Sequence, residues 1–241
     1  MLPEHLHRLN AARDSRRAAV IVTDLDAASS TLFLEGENIE ETAAPAVESA
    51  LRTGKSGMAE IGGRPVFINV YLPPPRIVVI GAVHISQALA GMAAIAGFDL
   101  TIIDPRSAFA TPERFGQTRL LAEWPEDALK GMPLDAYTAL AAVSHDPKID
   151  DFPLKAALDA ACFYVGALGS RRTHASRVER LTKLGLDESA IARIHAPIGL
   201  DIRAASPAEI AVAILADIIQ ALRTRDVTAT PRGADNRGPA R

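Results

Sequence analysis

From Arg76 onward the sequence alternates between short apolar runs and helical patterns, and this alternation limits the fold more than any other feature. "RIVVIG" is a strand closing on Gly81. Ile85, Ala88, Leu89, Met92 and Ala96 then mark one face of a helix that stops near Gly97. "FDLTIID" is a second strand ending at Asp104, "TRLLAEW" a weak third, "YTALAAVSH" a buried strand and "CFYVGALGS" another. Helices are expected over "DFPLKAALDA", with Pro153 in its first turn, and over "THASRVERLTKLG", with Thr173 as N-cap and Gly185 as stop. "SPAEIAVAILADIIQALR" opens on a capping box, with Ser206 at N-cap, Pro207 at N1 and Glu209 at N3. Strands and helices at this spacing predict an α/β fold with a doubly wound parallel sheet. Ligands of such sheets bind at the carboxyl ends of the strands. Those ends carry "GAVH", "DPR", "SHD" and "GSRR" here.

Pro73–Pro75 resist helix and sheet and act as a stiff spacer. Residues 1–72 read as a small N-terminal α+β domain. Its strands are "RAAVIVTD" and "STLFLEG", its helix "ETAAPAVESALRTG" stops at Gly54, and its hairpin turns at Gly62-Gly63. Residues 76–225 form the larger domain, and 226–241 read as a disordered tail. The net charge of -3 is no footprint for nucleic acid. One cysteine, Cys162, excludes a disulfide framework and suits a core position. No apolar run approaches a membrane span, and no secretory leader is evident, so the expected location is cytoplasmic.

The strand ends hold the candidate chemistry. Gly81 allows a sharp strand-to-helix turn, but a dinucleotide fingerprint wants glycine where Val83 and Ser86 stand. A Rossmann-like turn at Gly81, Ala82, Val83, His84 and Ile85 therefore offers helix N–H groups to an anion, while the usual NAD pose is obstructed by Val83. Asp104 stands where a ribose-binding carboxylate is expected; it either serves a ligand or pairs with Arg106, which itself could face a phosphate. His145 and Asp146 offer an imidazole beside a carboxylate, although Asp146 before Pro147 also suits a turn cap. The stretch Gly169, Ser170, Arg171, Arg172 and Thr173 combines backbone N–H groups, hydroxyls and guanidinium forks suited to a phosphate. No catalytic elbow and no metal-ligand spacing among the histidines is present, so neither catalytic residues nor a metal site are expected.

Together "VIGAVHISQALAGMAAIAGFDLTIIDPRSAFATPERF", "SHDPKIDD", "YVGALGSRRTHASRVERL" and "IHAPIGLDIRAASPAEIAVAILADI" resemble the xanthine dehydrogenase accessory family, XdhC/CoxI, in collinear order over roughly residues 76–222. The resemblance implies a binding and delivery protein rather than an enzyme. Its cargo would be the molybdenum cofactor, as molybdopterin or a dinucleotide form, which it would help to sulfurate and insert. The implied partner is the large subunit of a molybdenum hydroxylase of the xanthine or CO dehydrogenase type. A cysteine desulfurase as sulfur donor and a homodimer are compatible with it. Two departures stand out: "GAVH" replaces the "GAGH" of longer relatives, and residues 1–72 contain no cysteine.

Two other classes stay open: an NAD(P)-dependent oxidoreductase, and a cofactor-free assembly partner of a hydroxylase. The loop "FATPERF" sets Phe109 and Phe115 around Glu113 and Arg114. It reads either as a docking surface for the client or as two phenylalanines packed beneath the N-terminal domain.

Overall fold

The computed structural model describes residues 3–224. The chain divides into two compact units between Pro74 and Pro75. The tail read at 226–241 lies outside the described residues.

The N-terminal unit runs α1 (Pro3–Asp14), β1 (Ala19–Asp24), β2 (Ser29–Leu34), α2 (Ala44–Thr53), β3 (Gly57–Ile61) and β4 (Arg64–Tyr71). Its antiparallel sheet has the order β2-β1-β4-β3. Strand alternation sorts the two faces. Ala19, Ile21, Leu32 and Leu34 pack with Leu9 and Ala12 of α1. Val20, Val22, Val66 and Ile68 pack with Val47 and Ala50 of α2. Gly62 and Gly63 both take positive φ, as a two-residue hairpin turn requires. α1 has no counterpart in the sequence reading, because only Leu9 and Ala12 of its twelve residues are buried and its apolar stripe is correspondingly thin.

The larger unit begins with β5 (Arg76–Ile80), α3 (His84–Ile95), β6 (Asp99–Ile103), α4 (Pro112–Phe115), β7 (Arg119–Leu121) and α5 (Pro125–Gly131). It continues with β8 (Thr138–Ala142), α6 (Pro147–Asp159), β9 (Tyr164–Ala167), α7 (Arg171–Lys183), α8 (Glu188–Ile191), β10 (Ile194–His195) and α9 (Pro207–Thr224). The sheet order is β10-β9-β8-β5-β6-β7, and every pairing is parallel. Counted from β5, this is the doubly wound order 3-2-1-4-5-6, with its switch point between β5 and β8. Leu89, Ala93, Ile214 and Ile218 of α3 and α9 cover one face. Leu129, Leu154, Leu158 and Leu181 of α5, α6 and α7 cover the other. Residues of β5 and β8 are buried throughout, as strands covered on both faces must be.

The capping box forms as expected: Glu209 N donates to Ser206 Oγ and Ser206 N to the Glu209 carboxylate, both at 3.2 Å. Two helix starts differ. α6 begins at Pro147, not near Asp151, because Asp146 caps it through Lys148 N at 3.0 Å; Pro153 thus lies inside the helix. α7 begins at Arg171, because Ser170 and not Thr173 is its N-cap, accepting from Thr173 N at 3.2 Å.

At the switch point Gly81 has φ +115°, and a Cβ there would lie 2.8 Å from the Ser144 backbone nitrogen. Both the backbone conformation and the space demand glycine. Gly81→Ala should therefore destabilise the chain by about 2–4 kcal/mol, from left-handed strain plus overpacking against immobile backbone. Chemical denaturation measures this, and a loss below half a kilocalorie would show that β5 and β8 separate freely there.

Candidate functional site at the carboxyl edge of the parallel sheet

Asp104 is fully buried at the end of β6. Its carboxylate accepts from Ala82 N at 2.7 Å, from Arg106 N at 2.9 Å, and from Arg106 Nε and Nη2 at 2.9 and 2.7 Å. Burial pushes this carboxyl up, but the bonds from Arg106 and Ala82 outweigh it and hold it below the usual range. Of the two roles open to Asp104, the structure shows the pair with Arg106. The fork that holds the Ala82 amide is therefore committed and not free for a ribose diol. The Ala82 carbonyl accepts from Arg114 Nη1 at 2.9 Å. Ser86, in the place of a third glycine, is buried and donates to the Gly81 carbonyl at 2.5 Å.

The other strand-end residues divide between scaffold and surface. Ile85 is buried in the core and Val83 is half-buried against it. His84 opens α3 on the exposed side. His145 is exposed with φ +65°, while Asp146 serves as the α6 cap, so the two are not an oriented pair. Asp146 still faces the site electrostatically, since its charge stabilises the Arg106 cation. Gly169 has φ +137°, and Thr173 sits beneath it. Arg171 and Arg172 are exposed at the first two positions of α7. β9, the strand before them, lies two strands from β5, about 10 Å at 4.8 Å per strand.

Helices α3, α6 and α7 start on this edge. α6 and α7 are capped by Asp146 and Ser170, whereas Val83 at the start of α3 makes no side-chain cap. The first amides of α3 therefore point to the edge without a side-chain acceptor, in the geometry that favours an anion.

The loop at 109–115 is fastened to the larger unit. Phe115 is buried in the core of the larger unit. Arg114 also donates to Phe109 O and to Gln87 Oε1, at 2.7 and 3.1 Å, which fastens the loop to α3. Phe109 remains exposed, with the Arg106 guanidinium 4.8 Å above its ring.

Sequence reasoning missed two buried charged residues behind the edge. Asp150 accepts from Ser144 Oγ at 2.7 Å. Arg177 donates from Nη2 to Leu168 O at 2.8 Å, while its buried Nε and Nη1 make no hydrogen bond. Each lies four residues before a core leucine, Leu154 and Leu181, and a charge on an apolar stripe was the available signal. His195 was read only for metal spacing. Its Nδ1 lies 2.9 Å from Asp217, which also accepts from Tyr164 OH at 3.0 Å.

With this geometry in place, residues 77–218 match the model of the XdhC Rossmann domain. The chain belongs to the XdhC family. It is 35% identical over 163 residues to the uncharacterized protein YqeB of Escherichia coli K12. It is 31% identical over 156 residues to a protein of Bacillus subtilis 168 named as a probable xanthine dehydrogenase subunit. It is 30% identical over 148 residues to the molybdenum cofactor insertion chaperone PaoD of Escherichia coli K12. These matches cover 66%, 64% and 61% of this chain but only 29%, 45% and 40% of those proteins. A crystal structure described as a xanthine dehydrogenase from Bacillus halodurans superposes with TM-score 0.62 at 22% identity, covering 95% of this chain and 66% of that one, and so shares the fold. The XdhC match takes in every strand-end residue described above and leaves the N-terminal unit outside it.

Within the XdhC domain, burial pushes the Asp150 carboxyl up from 3.8 to about 6, against the Ser144 hydrogen bond and the Arg177 charge. A carboxyl raised in the folded state holds its proton more tightly there. Its contribution to stability is complete below 3.8 and is lost as pH rises through about 6. Asp150→Asn mimics the protonated form and keeps an acceptor for Ser144. Its stability relative to the parent should rise by about 3 kcal/mol between acid and neutral pH. Urea unfolding across that range measures the change, and a pH-independent difference would show that Asp150 ionises as an ordinary carboxylate.

Proposed function

We propose that this chain is an accessory protein that binds the molybdenum cofactor as cargo. It helps to sulfurate the cofactor and insert it into a molybdenum hydroxylase of the xanthine or CO dehydrogenase type, acting in the cytoplasm. The observation that carries the reading is membership of residues 77–218 in the XdhC family, one relative of which is named as a molybdenum cofactor insertion chaperone.

The edge chemistry supports it. Such a cargo carries a phosphate. The uncapped start of α3 and the exposed guanidinium groups of Arg171 and Arg172 suit that group. Cys162 supplies no reactive thiolate: burial pushes its thiol up to about 12. The sequence holds no other cysteine, so a partner is proposed as the sulfur source, with a cysteine desulfurase as its class. An NAD(P)-dependent oxidoreductase is the weaker reading, because the Asp104 carboxylate is already committed to Ala82 and Arg106.

Purified from a cofactor-producing host, the chain should carry molybdenum and pterin. Arg171→Ala with Arg172→Ala should lower retention at least tenfold, as charge-assisted phosphate contacts contribute about 1.5–3 kcal/mol each. Metal and pterin analysis decides it. Unchanged retention would remove the two arginines from the site, and absence of both molybdenum and pterin would favour the cofactor-free assembly partner.

A further inference from the structure

The N-terminal unit holds a cleft of about 450 Å³, within the roughly 300–1,000 Å³ range of small-molecule sites. Its position follows from the sheet register. Asp24 pairs with Ser29 and Val66, and Val22 pairs with Thr31 and Ile68. Alternation therefore puts Asp24, Ser29 and Thr31 on the same face as Val22, Val66 and Ile68, the face that α2 covers. A covered face should be apolar. Here its half nearest the β1–β2 turn is polar and lines an open cleft, with Glu40 and Thr42 on the opposing wall.

The polar groups are unequally committed. The Asp24 carboxylate accepts from Asp26 N and Ala27 N at 3.0 and 2.8 Å, closing the β1–β2 turn. Arg64 reaches Asp24 only at 3.4 Å. Among the described residues the Glu40 carboxylate and the Thr31 and Thr42 hydroxyls have no hydrogen-bond or ion-pair partner. The cleft thus offers a free carboxylate, a weakly held guanidinium and two hydroxyls, beside apolar surface from Val22 and Phe33. Two carboxylates against one guanidinium disfavour an anion. A flat ring with adjacent N–H donors for Glu40 and a carbonyl for Arg64 matches both charged groups, with Thr31 and Thr42 beside it.

We propose that this cleft binds an amino-oxo heterocycle, the edge shared by a pterin and a guanine. The proposal goes beyond the cargo reading and does not depend on the residues of the parallel-sheet edge. The test is a titration of the full chain with free pterin, guanosine and inorganic phosphate, followed by calorimetry or ligand fluorescence. Pterin, guanosine or both should bind saturably, and phosphate should not. Glu40→Gln should weaken that binding at least tenfold, and Thr31→Trp, at an exposed position that fills the cleft, should abolish it. Arg171→Ala with Arg172→Ala should leave it unchanged, which separates this site from the one proposed for the cargo phosphate. Circular dichroism of both cleft variants controls for folding. Absence of saturable binding at millimolar heterocycle, or binding that survives both cleft variants, overturns the proposal.

Discussion

The buried carboxylate of Asp104 joins the pieces of the parallel-sheet edge. It lies in the interior with no exposure, where an unpaired carboxylate is costly, and it persists because four N–H donors converge on it. One donor, Ala82 N, belongs to the turn after β5, and the rest belong to Arg106 just past β6. The Ala82 carbonyl is taken in turn by Arg114. Ala82, the first residue after Gly81, is thereby held at both its N–H and its C=O by side chains from the β6–β7 connection. The loop that a dinucleotide would approach is stitched to the neighbouring strand by charge-assisted bonds, so its geometry is set before any ligand arrives.

That stitching changes what the edge can bind. A free carboxylate there would meet a ribose diol; a committed one leaves the amides of α3 as the available polar groups. α6 and α7 spend Asp146 and Ser170 on their own first turns, while α3 opens on Val83 and spends nothing. The arginines at the start of α7 lie outside the core and remain at the surface. Behind them Asp150 and Arg177 attract each other across the ends of β8 and β9 without forming a close ion pair. The edge therefore combines a turn fixed by charge-assisted bonds with exposed cations at the start of α7.

Much of the fold was legible in local pattern. The strand-and-helix alternation after Pro75, the turn at Gly62-Gly63 and the reciprocal bonds of Ser206 and Glu209 depend on residues close in sequence. The two misread helix starts involve a choice between neighbours. Ser170 and Thr173 are both good caps, and the folded chain uses Ser170, whose side chain accepts from Thr173 N. Pro153 reads as part of a first turn opening near Asp151, yet the Asp146 cap and Pro147 start the helix four residues earlier. α1 is too polar to show a face until a sheet is placed beneath Leu9 and Ala12.

The sequence by itself determined the class of fold, the alternation of the main strands and helices and the set of polar residues at the strand ends, because periodicity, glycine and capping chemistry act over a few residues. Only the tertiary structure decided what each polar residue does. Asp104 became a scaffold carboxylate because Ala82 and Arg106 reach it, and Arg114 a clamp because the Ala82 carbonyl faces it. Phe115 went to the core while Phe109 stayed outside. Asp24, Ser29 and Thr31 line a cleft because α2 covers only part of the face they share with the core. Hydrogen-bond commitment and burial are properties of neighbours distant in sequence, and local pattern does not encode them.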